Sequence, residues 1–140
     1  MVAVDRKFEF ELVSPERLVL SEPVDMAVIP GSEGDFGVLA GHSLLIATLR
    51  PGVIDVYQGE QITNRLFVGG GFAEVTESRC TVLADEAIPI SEINTTAVEA
   101  DLERFREDVA SAETDEARRL AEIRFSIAEA KLVAAGRRTV

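Results

Sequence analysis

The chain has 140 residues, 46% of them hydrophobic and 28% charged, with a formal net charge of −11. This apolar content suffices to bury a core, which excludes wholesale disorder, and the acidic balance argues against nucleic acid or an anionic lipid surface as a partner. No apolar run approaches the ~20 residues of a membrane-spanning helix, Met1 to Phe10 lacks the pattern of an export signal, and the lone Cys80 excludes an intramolecular disulfide and fits a reducing compartment.

The apolar pattern changes period near residue 90. Before it, short runs alternate with period two and are broken by all five prolines and nine of the ten glycines. Phe8, Phe10 and Leu12 alternate with Lys7, Glu9 and Glu11, which predicts a strand with one wet face. Val24 to Ile29, ended by Pro30-Gly31, predicts a second strand, and Leu44 to Leu49, ended by Pro51-Gly52, a third. Val53 to Tyr57, Ile62 to Val68, Phe72 to Thr76 and Cys80 to Ala84 follow as further strands. Strands this short and evenly spaced predict a β-sandwich or flattened barrel. Gly69-Gly70-Gly71 predicts a tight turn or bulge where a Cβ would clash.

After residue 90 the period becomes helical. Thr96-Ala97-Val98-Glu99 reads as a capping box, followed by an apolar stripe of Val98, Leu102, Phe105, Val109 and Ala112. Thr114 is expected to cap a second helix, with Asp115 and Glu116 in the first turn where the helix dipole favours acids. Its predicted stripe is Ala117, Leu120, Ile123, Ile127, Ala130 and Ala134, with Gly136 as the stop. Two narrow-striped helices with a short connection predict an antiparallel hairpin. Its stripes are small against the entropy of ordering the hairpin, so it needs a partner surface. The expected architecture is an all-β sandwich over residues 1–88, followed by an antiparallel helical hairpin over 89–140.

Charge divides unevenly. Residues 1–90 carry a net −8 and residues 91–140 a net −3. Arg118, Arg119, Arg124 and Lys131, with Arg137 and Arg138 beyond, make the end of the second helix locally basic. This is either a solvated face complementing the helix dipole or a contact strip for an acidic partner.

Chemistry is scarce. His42 is the only histidine, and a triad with Ser43 or Ser32 and Asp35 has no support in the spacing. Gly31-Ser32-Glu33-Gly34-Asp35-Phe36-Gly37 has the wrong spacing for a phosphate cradle, lacks a following lysine, and carries two acids that would repel phosphate. It reads as a glycine-shaped turn or an acidic docking tip. One histidine and one cysteine leave a zinc site to carboxylates, which is rare. The residues point to a non-catalytic interaction protein with no cofactor and no metal. The competing readings are an adaptor with a helical dimerisation hairpin and a small hydrolase using His42 with Ser43.

Several stretches go further when taken in order: Phe8-Glu9-Phe10-Glu11-Leu12-Val13-Ser14-Pro15, Gly31-Ser32-Glu33-Gly34-Asp35-Phe36-Gly37-Val38-Leu39, Gly41-His42, Leu49-Arg50-Pro51-Gly52, Gly69-Gly70-Gly71-Phe72-Ala73-Glu74-Val75 and Val82-Leu83-Ala84-Asp85. The set resembles the epsilon subunit of the rotary F-type ATP synthase. The resemblance implies a ten-stranded sandwich at the foot of the central stalk, bound to the gamma subunit and to the ring of c subunits. It implies a rotor subunit that performs no bond chemistry, peripheral on the cytoplasmic face of a bacterial inner membrane through the complex alone. Ser32, Glu33 and Asp35, with His42 close by, would face the ring and stalk. The hairpin would lie folded or extend into the catalytic head, where Arg118, Arg119 and Arg124 would meet an acidic segment of the beta subunit and block ATP hydrolysis. The chain departs from the family at Ala40 and Ser43-Leu44, and where ATP-sensing members carry Ile/Leu-Asp-x-x-Arg-Ala it has Ile93-Asn94-Thr95-Thr96-Ala97-Val98. With Asn94 for the acid and Ala97 for the arginine, weak or absent ATP binding is expected. Isothermal titration of the isolated chain measures it, and tight binding would refute the expectation.

Overall fold

The computed structural model describes residues 6–136; Arg137 and Arg138 lie outside them. The described residues divide into two compact units, with the boundary between Pro89 and Ile90.

Among the described residues the first unit has ten strands: β1 Phe8–Val13, β2 Leu18–Val24, β3 Met26–Gly31, β4 Gly34–Val38, β5 Leu45–Leu49, β6 Gly52–Gln58, β7 Gln61–Val68, β8 Gly71–Val75, β9 Arg79–Ala84 and β10 Ala87–Pro89. They hydrogen-bond in the order β10-β7-β6-β3-β5-β8-β9-β1-β2, with β4 on β3. Of these pairings β1–β9 is parallel and the others antiparallel. The sandwich expected from the period-two pattern is therefore present. Its core is one cluster built from alternate positions, with Phe8, Phe10 and Leu12 of β1, Ile54 and Val56 of β6, and Cys80 and Val82 of β9 all buried. Burial pushes the Cys80 thiol up to about 12. Cys80 thus packs as a small apolar residue, with no thiolate available at neutral pH.

Three strands escape the period-two reading. β2 contains Pro23, which a central strand would not tolerate; it pairs only with β1, so the missing N–H costs no ladder bond. β4 lies within the glycine-rich stretch that reads as a turn or an acidic tip; the turn is confined to Ser32 and Glu33, and Asp35 to Val38 pair with Pro30 to Ala27. β10 spans three residues. The expected run Val24 to Ile29 is in fact two strands that turn at Asp25. The Asp25 carboxylate accepts hydrogen bonds from the Gly59 N–H (2.6 Å) and from Lys7 Nζ (3.0 Å). The Gly59 N–H first, then Lys7, hold this carboxyl below the usual aspartate range. Its contribution to stability is present above the ordinary carboxylate pKa and is lost as pH falls through the lowered value.

Gly70 and Gly71 have φ of +119° and +126°. A Cβ on Gly71 would stand 2.2 Å from the Leu83 carbonyl oxygen. The glycine run makes the close approach its composition predicted.

The second unit opens with a 3₁₀ turn, Ile90–Glu92, and continues as α1 Thr95–Ser111 and α2 Asp115–Ala135, which pack against each other. Three connecting residues leave only an antiparallel arrangement. The cap of α1 differs from expectation: Asn94, not Thr96, occupies it, its Oδ1 accepting from the Ala97 N–H (3.1 Å). Thr96 is already helical, and Ala97 stands where a capping box needs a carboxylate. Such a cap contributes about 1 kcal/mol. Thr114 caps α2 as predicted, accepting from Ala117 at 3.0 Å. Gly136 ends it with an ordinary right-handed φ of −71°.

The expected stripe of α1 is buried or half-buried from Val98 through Ala112. The expected stripe of α2 holds in its second half, where Ile127 and Ala130 are half-buried and Ala134 is buried, and fails in its first, where Ala117, Leu120 and Ile123 are exposed. Ala121, Ala128 and Ala135 are buried, with Phe125 and Leu132 half-buried between them, whereas Leu120 and Ile123 are 47% and 50% exposed. This helix is apolar on more than one face, and its alanines allow the closer approach. The Arg106 guanidinium of α1 lies 5.4 Å from the Phe125 ring centre, a cation–π contact across the hairpin.

Candidate functional site: an acidic tip and an apolar sheet face

Ser32 and Glu33 form the β3–β4 turn and are exposed. Gly34, with φ +133°, closes it. Asp35 is the second residue of β4 and binds Arg50 Nη2. The three acidic-tip residues are therefore together, but Asp35 is engaged within the chain.

His42 is not at this tip. It follows the other end of β4, so about 16 Å of strand separates the two at roughly 3.3 Å per residue. There the Gly41 N–H donates to the Glu77 carbonyl (2.7 Å) and the His42 N–H to the Leu39 carbonyl (3.2 Å). His42 Nδ1 lies 2.7 Å from the Ser43 carbonyl oxygen, so it donates there and is no proton acceptor for the Ser43 hydroxyl. A cleft of about 470 Å³ beside it is lined by His42, Leu44, Thr76 and Glu77. The expectation that His42 lies close to the acidic tip fails because β4 is a strand and not a loop.

Arg118, Arg119 and Arg124 are exposed on α2. At about 100° per residue they spread around the helix instead of forming one strip. Arg118 is paired with Asp115 at 3.2 Å, one turn back. Asn94 and Ala97 are joined by the α1 cap.

The period-two reading missed a second surface. Phe72 of β8 stands opposite Leu83 of β9, which stands opposite Val13 of β1, which stands opposite Leu18 of β2. Phe72 is 46% exposed, Leu83 42%, and Ile46 of neighbouring β5 72%. These residues form an apolar row across the outside of the sheet. Exposed apolar side chains aligned across a sheet face are the kind of surface that a protein partner can cover. The signal in the sequence was that β5 and β8 are apolar at consecutive positions.

Among the described residues no group of three or more His, Cys, Asp and Glu could hold a metal ion, and no helix is long and apolar enough to cross a membrane.

Comparison with known proteins converges. The family described as ATP synthase, Delta/Epsilon chain, beta-sandwich domain matches residues 7–90. The ATP synthase epsilon chain of Rhodospirillum centenum is 52% identical, with 90% of each chain covered. That of Rhodospirillum rubrum is 52% identical, covering 90% of this chain and 94% of the relative. A chain in the cryo-EM structure of Euglena gracilis mitochondrial ATP synthase, OSCP/F1/c-ring in rotational state 1, is 28% identical with a TM-score of 0.78, covering 91% of this chain and 81% of that one. The family match spans all ten strands, the two relatives cover 90% of this chain, and the chain belongs to the ATP synthase epsilon chain family.

Proposed function

We propose that this chain is a rotor subunit in the central stalk of a proton-translocating ATP synthase. It couples rotation of the c-ring through gamma to ATP synthesis and performs no bond chemistry itself. The observation that carries this reading is the shared fold over 91% of the chain with a component of an assembly that contains the F1 head and c-ring.

The two surfaces divide the work. The Ser32, Glu33 and Asp35 tip suits the polar, cation-bearing loops of a ring, and the apolar row of Phe72, Leu83 and Ile46 suits the stalk partner, gamma. His42, at the other end of β4, belongs to the stalk side. The sandwich, residues 1–88, is the anchoring domain, and residues 89–140 are the inhibitory hairpin. Arg119 and Arg124, with Arg118 already paired in the helix, meet the beta subunit when the hairpin extends. Neither Asn94 nor Ala97 supports ATP binding, and no cofactor is required. The chain sits on the cytoplasmic face of the membrane through the complex.

A tagged chain is expected to retrieve gamma and c subunits from solubilised membranes; recovery of neither would end the rotor reading. Deleting residues 91–140 is expected to leave assembly intact and to raise ATP hydrolysis. Unchanged hydrolysis would remove the inhibitory role and leave the structural one.

A further inference from the structure

Arg50 stands in the β5–β6 turn, inside the Leu49-Arg50-Pro51-Gly52 stretch that neither surface above uses. Its backbone N–H donates to the Pro30 carbonyl (3.0 Å), and the Ser32 N–H donates to the Thr48 carbonyl (2.8 Å). The β3–β4 hairpin is thereby tied to the end of β5 through the main chain. The guanidinium adds a second tie. Nη1 donates to the Gly31 carbonyl and Nη2 to Asp35 Oδ1. Gly31 is on β3 and Asp35 on β4, in a register that pairs Gly31 with Gly34 and Pro30 with Asp35. One planar fork therefore bridges both strands directly below the Ser32–Glu33 turn.

Two glycines allow the backbones around it to pack closely. A Cβ on Gly31 would lie 2.7 Å from the Gly34 carbonyl oxygen, and one on Gly52 would lie 3.0 Å from Pro30 Cβ. The charge bookkeeping also changes. Asp35 is balanced locally by Arg50, so Glu33 carries the net charge of the tip. A lysine could reach one acceptor as a point charge but could not span both with a rigid fork.

We propose that Arg50 is the positioning residue of the acidic tip: its fork on Gly31 and Asp35 holds the Ser32–Glu33 turn in one conformation for docking on a polar, cation-bearing loop surface, and Asp35 acts through Arg50 and not across the interface. The docking half of this proposal rests on the ring-facing reading above; the positioning half does not.

Amide hydrogen exchange on the full chain tests the positioning half. Arg50→Met is expected to speed exchange of the Ser32 amide about three- to tenfold with the melting temperature little changed, as suits an exposed pair that orders a local turn. Arg50→Lys falls between wild type and Arg50→Met. Asp35→Asn moves the same amide, and 1 M salt brings wild type toward the variants. Affinity for the detergent-solubilised c-ring with gamma tests the other half: Asp35→Asn is expected to add nothing once Arg50→Met is present. Unchanged Ser32 exchange in Arg50→Met overturns the proposal, and so do additive losses of affinity, which would place Asp35 in direct contact with the ring. If Glu33→Gln leaves ring affinity intact while Ser32 exchange still responds, the ring-facing reading fails and the positioning role stands. Should Arg50→Met not fold, Asp35→Asn and the salt titration read the same clamp.

Discussion

Gly71→Ala is expected to destabilise the sandwich by about 4 kcal/mol or more, read as a fall in the urea midpoint of unfolding. Two effects add at this position. The backbone has φ of +126°, which a side chain adopts only under strain. The new methyl would also stand 2.2 Å from the Leu83 carbonyl oxygen and 2.8 Å from Ala84 Cα, both backbone atoms of the paired strand β9. Those atoms cannot move without breaking the β8–β9 ladder, in which Gly71 pairs with Ala84. Gly34→Ala separates the two effects. Its φ is +133°, but nothing lies within 4 Å of the added carbon. It should cost only the strain, about 1–3 kcal/mol. Equal losses in the two variants would show that close approach to β9 is not what demands glycine at Gly71. A loss of this size is a large share of the ~5–15 kcal/mol that holds a typical domain folded.

Phe72→Asp and Leu83→Asp should each weaken binding to gamma about 30-fold or more, corresponding to roughly 2 kcal/mol at a buried interface anchor. The physical reason is that each would place a carboxylate in the centre of a face that must be desolvated on docking. The fold should survive, because both side chains project from the outside of the sheet, Phe72 being 46% and Leu83 42% exposed. Unfolding midpoints near wild type, together with lost co-purification of gamma, are the expected pair of results. Wild-type affinity in both variants would rule the row out as the docking face. Ile46→Asp, on β5 beside the same row and opposite Glu74, tests how far the face extends.

Gly71→Ala on one side and Phe72→Asp and Leu83→Asp on the other address opposite faces of one strand pair. The inward residues of β8 and β9, such as Ala73 and Val82, are buried in the core and hold the fold. The outward residues Phe72 and Leu83 contribute little to that core and remain available to a partner. A subunit of the central stalk needs a folded body and outward surfaces that partners can cover, and this strand pair separates the two.

Much of this was legible in the residues themselves. The change from period two to a helical period near residue 90 separates strands from helices, because side chains alternate across a sheet but recur every three or four positions along a helix. Thr114 announced its helix, since a hydroxyl there can satisfy an otherwise unpaired N–H. The glycine run announced a backbone that admits no Cβ. The ordered motifs announced the family.

Tertiary structure alone decided the rest, wherever local pattern left two answers of similar merit. Asn94 and Thr96 can both cap a helix, and Asn94 is the one that keeps the extended backbone of a cap, with φ −91° and ψ 102°, while Thr96 is already helical. Helix α2 offers apolar residues on several faces, and packing against α1 selects Ala121, Phe125 and Ala128 over Leu120 and Ile123, because the helices come closest where the side chains are small. The glycines and aspartate of β4 read as loop until β3 lies beside them and supplies hydrogen-bond partners. That pairing moves His42 away from Ser32 and Glu33. Arg50 and Asp35 are 15 positions apart, a separation no local pattern spans, and they meet only because β5 returns alongside the hairpin.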